Sequence, residues 1–309
     1  MNQTNPAPAA NPESSGKKPL TPAERRKRGI RNRRIFRAAI QLFFFLAMPG
    51  TFAAGWNGAK SIFQSVGEGA PISANTFLCA LIGLCAFTIL FGRWFCGFAC
   101  AFGSIGDFVY WISRTVQTKI FRRKKPSSCP ARLRGVLQWI KYGVLAALLL
   151  LCALGLYGKL GGFSPWDVFS RLAALKPVPA GYAVGAILLA LILGGMAWQE
   201  RFFCQFLCPM GALFALLPHM PFGSLRRNEA NCLKNCDLCR SGCPVGVKLE
   251  EDGIRNGECV GCEACVGVCP RANIGRMEKK LLRREIVGAL IRAVLFFCMG
   301  AAFGLCRFF

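Results

Sequence analysis

Five windows of about twenty largely apolar residues, near 38–56, 72–92, 136–158, 181–199 and 286–306, set the terms for this 309-residue chain. A bilayer core roughly 30 Å thick is crossed by about 20 residues of helix. In lipid a backbone segment must satisfy its own polar groups, so such windows are read as membrane helices. The hydrophobic share of 53% is high for a water-soluble protein. A long polar tail precedes the first window and no A-x-A-like cleavage pattern follows it, so it reads as a retained anchor rather than a cleaved signal.

The net charge of +24 is unevenly placed. Residues 1–37 carry ten Lys/Arg against two acids and residues 93–141 ten against one, while 57–71 and 159–180 carry one and three Lys/Arg. That is the positive-inside pattern, and it puts the N-terminus, the middle loop and the 200–285 segment in the cytoplasm. Five spans then leave the C-terminus outside. Topogenic charge and contact with anionic membrane lipid account for the basic runs, so no nucleic-acid partner is expected. Residues 1–36 read as a disordered basic cytoplasmic tail.

Eight of the 18 cysteines lie within residues 232–269, a segment that this topology places in a reducing compartment. Cys259, Cys262, Cys265 and Cys269, followed by Pro270, have the C-x2-C-x2-C-x3-C-P spacing of bacterial ferredoxins. Cys232, Cys236, Cys239 and Cys243, followed by Pro244, repeat it with one extra residue in the first gap. In this arrangement three close thiolates hold one cubane and the fourth ligates the other. The pairing predicts one [4Fe-4S] cluster on Cys232, Cys236, Cys239 and Cys269, and a second on Cys243, Cys259, Cys262 and Cys265. Nine of the 15 acids fall between 225 and 285, which marks a solvated module, a small α+β ferredoxin domain at 221–280. The bland alternative is a zinc ribbon, since C-x2-C pairs also serve zinc.

Two further cysteine pairs repeat at an offset of 108 residues: "RWFCGFACAFGSI" from Arg93 and "RFFCQFLCPMGAL" from Arg201. They share Arg, Phe, Cys, Phe, Cys and Gly at 93/201, 95/203, 96/204, 98/206, 100/208 and 103/211. The membrane domain at 37–220 therefore reads as two duplicated two-helix units, followed by a C-terminal hydrophobic helix at 281–309 as a fifth span. Trp56-Asn57 and Trp166-Asp167 form a weaker echo. If the motifs continue their helices, Cys96 with Cys100 and Cys204 with Cys208 share a helix face. Four thiols would then meet at the cytoplasmic membrane edge, a candidate further iron–sulfur, metal or thiol redox site. Packing is the competing role for small buried cysteines. Cys79, Cys85, Cys129, Cys152, Cys298 and Cys306 show no pattern and read as filler.

The combination of R-x-F-C-x3-C-P at 201–209, its partner at 93–101 and the two ferredoxin runs resembles the membrane polyferredoxin family that includes NapH and the C-terminal part of NosR. The resemblance covers about residues 35–275. It implies a membrane core with cytoplasmic ferredoxin clusters, in a multi-pass protein of the bacterial inner membrane. Such a protein would relay electrons between a quinol pool or cytoplasmic donor and a redox partner, expected on the outer side. The same resemblance admits an accessory role in reducing a metal during maturation of a respiratory metalloenzyme. The chain departs from the family pattern at Ala101, where proline is usual, in the longer first gap, and in the hydrophobic segment after the clusters. Arg292 lies within that segment, where an unpartnered charge costs on the order of 3 kcal/mol.

One histidine, His219, cannot supply two axial haem ligands, and no C-x-x-C-H is present. No G-x-G-x-x-G follows a strand-like run. Iron–sulfur centres are thus the redox cofactors the sequence offers, and a relay subunit fits better than a complete enzyme. A lone interfacial histidine reads as an ordinary side chain sooner than as a quinol base.

Overall fold

A computed structural model describes residues 21–72, 74–120, 122, 129–173, 176–220, 225–228, 232–233, 236–247, 249, 257–271, 273–275 and 282–306. The first 20 residues of the expected disordered tail lie outside these. From residue 22 that expectation is corrected, because helix α1 (Pro22–Ala47) begins there. Thr21 and Glu24 form a reciprocal capping box, with Pro22 in the first turn, which satisfies N-terminal donors and pre-sets the backbone. Two arginines of this helix are paired across the fold, Arg33 with Glu263 at 3.0 Å and Arg37 with Asp107 at 2.6 Å.

The window at 38–56 is two helices, since α1 stops before Met48-Pro49-Gly50 and α2 (Thr51–Glu68) leaves at 61°. Pro49 has no amide hydrogen to continue the ladder, and the Thr51 hydroxyl donates to the Met48 carbonyl across the break at 2.9 Å. Helix α3 (Thr76–Phe91), capped by Asn75, packs along α2. Gly55 and Gly58 on α2 let the backbones close, against Leu84 and against Phe77 and Leu81, as small residues do in membrane helix pairs.

After α3 come a short helix α4 (Trp94–Phe98) and α5 (Ala101–Lys119). Helices α6 (Ala131–Leu137) and α7 (Ile140–Ala153) follow, then α8 (Pro165–Ala173), α9 (Ala183–Trp198), a second short helix α10 (Phe202–Phe206) and α11 (Pro209–Leu216). The stretches Leu133–Ala153 and Ala180–Trp198 are long and apolar enough to cross a membrane, and the bent pair of α1 and α2 makes a third candidate. Among the described residues the windows at 72–92 and 286–306 give shorter apolar helices, Thr76–Phe91 and Ile286–Ala302, and two or three of the five expected spans meet the length and composition of a crossing helix.

Beyond α11 the chain carries the two ferredoxin-spaced cysteine runs. Strand β1 (Arg226–Arg227) pairs antiparallel with β2 (Ile274–Gly275), so the segment's start and end meet. Between them lie α12 (Leu238–Ser241) and α13 (Ala264–Val268), one within each cysteine run. Val245, Val247, Val260 and Cys262 share the main apolar core with the membrane part, whereas Leu225, Cys239, Leu249, Cys265, Val266 and Ile274 form a separate small core. Helix α14 (Leu282–Ala302) returns along α3, burying Ala289, Arg292 and Phe296 and exposing Val287, Leu290, Ile291 and Val294. Arg292 finds its partner in Glu263 at 3.0 Å.

Candidate metal centres

The two short helices give each repeated motif its local shape. Offset by 108 residues, Trp94–Phe98 falls on Phe202–Phe206, and both are followed by a cysteine that caps the next helix. This corrects the shared-helix-face expectation. Cys96 and Cys204 sit inside short helices, while Cys100 and Cys208 are the N-caps of α5 and α11. The chain breaks between them because each short helix ends after one turn and the capping residue is extended (ψ 121° and 112°). The Cys208 sulfur accepts from the Gly211 amide at 3.2 Å, as a capping side chain does.

The structure brings Cys96, Cys100, Cys204 and Cys208 together. All four are buried, and Cys100, Cys204 and Cys208 each lie close enough to other thiols of the set to be affected by their charge. Burial first, then neighbouring thiols, pushes Cys100 and Cys208 well above the ordinary thiol range. Burial also raises Cys204, partly opposed by Arg201.

The shared arginines are crossed between motifs. Arg201, in a left-handed conformation (φ 60°), donates to the carbonyls of Cys96 and Gly97 in the first motif and pairs with Asp107 at 2.6 Å. A Cβ at Gly103 would lie 2.6 Å from Arg201 Nη1, and one at Gly211 2.9 Å from Arg93 Nη2. The shared glycines thus make room for the opposite arginine. Both arginines are about 1% exposed, and Arg93 Nε and Nη2 and Arg201 Nε have no hydrogen-bond partner among the described residues. Buried cations of this kind call for negative charge nearby.

In the ferredoxin unit, Cys243, Cys259, Cys262 and Cys265 also come together. The charges of Cys259, Cys262 and Cys243 act on Cys265, and those of Cys262 and Cys259 act on Cys243. Burial, followed by those neighbours, takes the Cys243 thiol up to about 12. The Gly261 amide donates to the Cys259 sulfur at 3.4 Å. Of the other expected set, Cys239 and Cys269 pack in the small core, while Cys232 and Cys236 are half-buried on the approach to α12. The Asn273 amide donates to the Cys269 sulfur at 3.3 Å.

Among the described residues no three His, Cys, Asp or Glu side chains converge on a single-ion position. Thiols close enough to perturb one another fit a cluster whose irons each take one thiolate. The unpaired guanidinium N–H groups beside the membrane-edge set fit the negative charge such a cluster carries. Of the scattered cysteines, Cys79 and Cys298 are exposed, Cys85 is half-buried, and Cys129, Cys152 and Cys306 are buried.

Sequence reasoning missed the carboxylates. Asp107 accepts from Arg37, Arg201 and Gln41, Glu258 from Lys141 and Tyr142, and Glu263 from Arg33 and Arg292. Two of them directly neighbour cluster-run cysteines, the one signal available in the sequence.

Residues 75–126 and 180–226, which hold all four membrane-edge cysteines, match the family model of a 4Fe-4S binding domain. Over those residues the chain is similar to 4Fe-4S binding domains. More narrowly, its likeness to NapH-type membrane polyferredoxins is shown by its relatives. The ferredoxin-type protein NapH of Haemophilus influenzae is 26% identical over 208 residues, 63% of this chain and 66% of that one. The methylamine utilization ferredoxin-type protein MauN of Methylobacillus flagellatus is 26% identical over 264 residues, 81% and 78% of the two chains. An uncharacterized protein of Methanocaldococcus jannaschii is 29% identical over 180 residues, which span 58% of this chain and 62% of that protein's length. No solved structure matches the chain.

Proposed function

We propose that this chain is a membrane-bound iron–sulfur electron-transfer subunit, relaying electrons between a quinol pool or cytoplasmic donor and a redox partner protein on the outer side. The observation that carries the reading is the joining of four buried thiols, drawn from two matching short helices and the caps of the helices that follow them, to a unit with ferredoxin-type cysteine spacing. Cys232, Cys236, Cys239 and Cys269 would hold one [4Fe-4S] cluster, Cys243, Cys259, Cys262 and Cys265 a second, and Cys96, Cys100, Cys204 and Cys208 a third centre. Such centres supply one-electron redox chemistry, at potentials set by charge, hydrogen bonds and exposure. The chain's own contribution is to exclude water, hold the thiols on separate elements, and place Arg93 and Arg201 where they offset cluster charge. The distribution of Lys and Arg supports a multi-pass protein of the inner membrane with its N-terminus and ferredoxin unit in the cytoplasm, in contact with anionic lipid.

The test is iron and acid-labile sulfide per chain after anaerobic purification, with low-temperature EPR on the reduced protein. Iron for three clusters, falling to two in Cys204→Ser with Cys208→Ser, is the expected result. Iron for two clusters, unchanged in that double variant, removes the membrane-edge centre. Zinc without iron after cluster assembly has been supported ends the electron-transfer reading.

A further inference from the structure

The two quartets of the ferredoxin unit are not equivalent with respect to the membrane part. A Cβ added to Gly97, between Cys96 and Cys100, would lie 2.7 Å from the Val260 carbonyl, 2.9 Å from the Gly261 carbonyl carbon and 3.0 Å from the Cys262 amide. Gly261, between Cys259 and Cys262, has φ +65°, and its Cβ position is 3.0 Å from the Trp94 Cα. Two cysteine-bearing backbones therefore touch through glycines, a closeness that other residues would prevent.

The second motif makes its own contact. Gln205, at the position matching Gly97, is buried and donates to the Pro244 carbonyl at 2.9 Å, directly after Cys243. Both short helices thus hold the loops of the same quartet. Arg93 donates to the Gly257 carbonyl at 3.0 Å and approaches Glu258 at 3.9 Å. Here the ferredoxin unit completes an asymmetric pair. Arg201 is matched by Asp107, but the corresponding position in the second motif is Ala215, and Gly257 packs on the Ala215 backbone while Glu258 supplies the carboxylate to Arg93. Glu258 is held in turn by Lys141 and by the Tyr142 hydroxyl. Cys262 and Val260 share one water-excluding core with Cys96, Cys100, Cys204 and Cys208, and Cys243 packs against it; Cys265 and Cys239 lie in the separate core, with Cys269 packed against that one.

We propose that the quartet Cys243, Cys259, Cys262 and Cys265 is the half of the ferredoxin unit that exchanges electrons with the membrane-edge quartet. Its partner set on Cys232, Cys236, Cys239 and Cys269 is then the distal, solvent-side station. Gly97 and Gly261 are positioning residues at the junction. The inference rests on the reading that both quartets hold iron–sulfur centres. One electron lost by one centre is gained by the other; no bond is made or broken and no further reactant is needed.

The experiment is EPR of the anaerobically reduced full chain, with iron content measured on each sample. In the parent protein a magnetic interaction involving the membrane-edge centre is expected in addition to the one between the two ferredoxin clusters. This additional interaction should survive Cys269→Ser and vanish in Cys204→Ser with Cys208→Ser. Gly97→Ala and Gly261→Ala, with full iron, should weaken the interaction and slow internal electron transfer severalfold after rapid reduction. Gly143→Ala, whose Cβ meets nothing within 4 Å, should match the parent. The proposal is overturned if iron for three clusters is present with no interaction involving the membrane-edge centre. It is equally overturned if the interaction is lost with Cys269, or if the glycine variants with full iron transfer electrons like the parent. Should the glycine variants lose iron, the cysteine variants and Gln205→Ala, which removes only the bond to Pro244, decide by the same criteria. Iron for two clusters in the parent, unchanged on loss of Cys204 and Cys208, instead removes the earlier reading.

Discussion

Asp107 shows how a single residue organises this fold. Its carboxylate accepts from Arg37 at 2.6 Å, Arg201 at 2.6 Å and Gln41 at 2.7 Å, tying α1, the first motif and the second motif together. Removing one partner of a buried ion pair leaves the others uncompensated, so Asp107→Asn should destabilise the protein by about 3 kcal/mol, read as a lower unfolding midpoint in detergent. Burial pushes the carboxyl up, but Arg201, Arg37 and Gln41 more than offset it and leave it below its ordinary value of 3.8. A carboxyl that titrates lower when folded contributes fully above the ordinary range and loses that contribution as pH falls through its folded value. Acid unfolding below pH 3.8 should therefore have a component in the parent that Asp107→Asn lacks. Glu263 carries the same logic for the chain ends. It bonds Arg33 of α1 and Arg292 of α14 from a left-handed backbone (φ 56°), so Glu263→Gln should loosen both helices, seen as faster amide hydrogen exchange around residues 30–37 and 288–296.

At the scale of elements, close packing of small residues and interruption of helices shape the membrane part. Gly58 faces the Phe77 backbone and Leu81 with no room for a methyl group. Gly58→Ala should cost about 1–3 kcal/mol through overpacking. Gly143 is also helical but open, so Gly143→Ala should be neutral or stabilising by up to about 1 kcal/mol. Thermal unfolding of the two variants in the same detergent measures the contrast. The interruptions matter equally. Had α3 run on through the first motif, Cys96 and Cys100 would have lain on one helix surface. Ending α4 after one turn and restarting at Cys100 turns both sulfurs of each motif toward the other motif. The helix α14, whose charged residue looked costly in the sequence, buries Arg292 against Glu263 and Phe296 among Phe44, Phe87, Trp94 and Phe95.

For the whole molecule, the division into a core shared with the membrane part and a small separate core predicts a graded response to loss of iron. Chelation under anaerobic conditions should expose the 225–275 segment to protease first, because its small core has few apolar side chains to hold it. Helical circular dichroism should change little. Equal protection of that segment with and without iron would show that its packing stands without ligands. Much of this architecture was legible beforehand. The apolar windows, the lysine and arginine distribution, the ferredoxin spacings and the 108-residue repeat are local or periodic patterns, and they named the membrane class, the ligand-rich unit and every cysteine discussed here. The bend at Pro49 was signalled too, but a hydropathy window averages over it. What the sequence could not decide is which distant groups meet. The crossing of Arg93 and Arg201, the carboxylate that Glu258 supplies opposite Ala215, and the seating of Val260–Cys262 on Gly97 join residues more than 90 positions apart. Such contacts follow from how helices pack and where their short breaks aim the chain, and no periodicity along the sequence encodes them. The sequence by itself determined which cysteines are candidates for the chemistry, because their spacing is local; the tertiary structure decided which sets of thiols are neighbours.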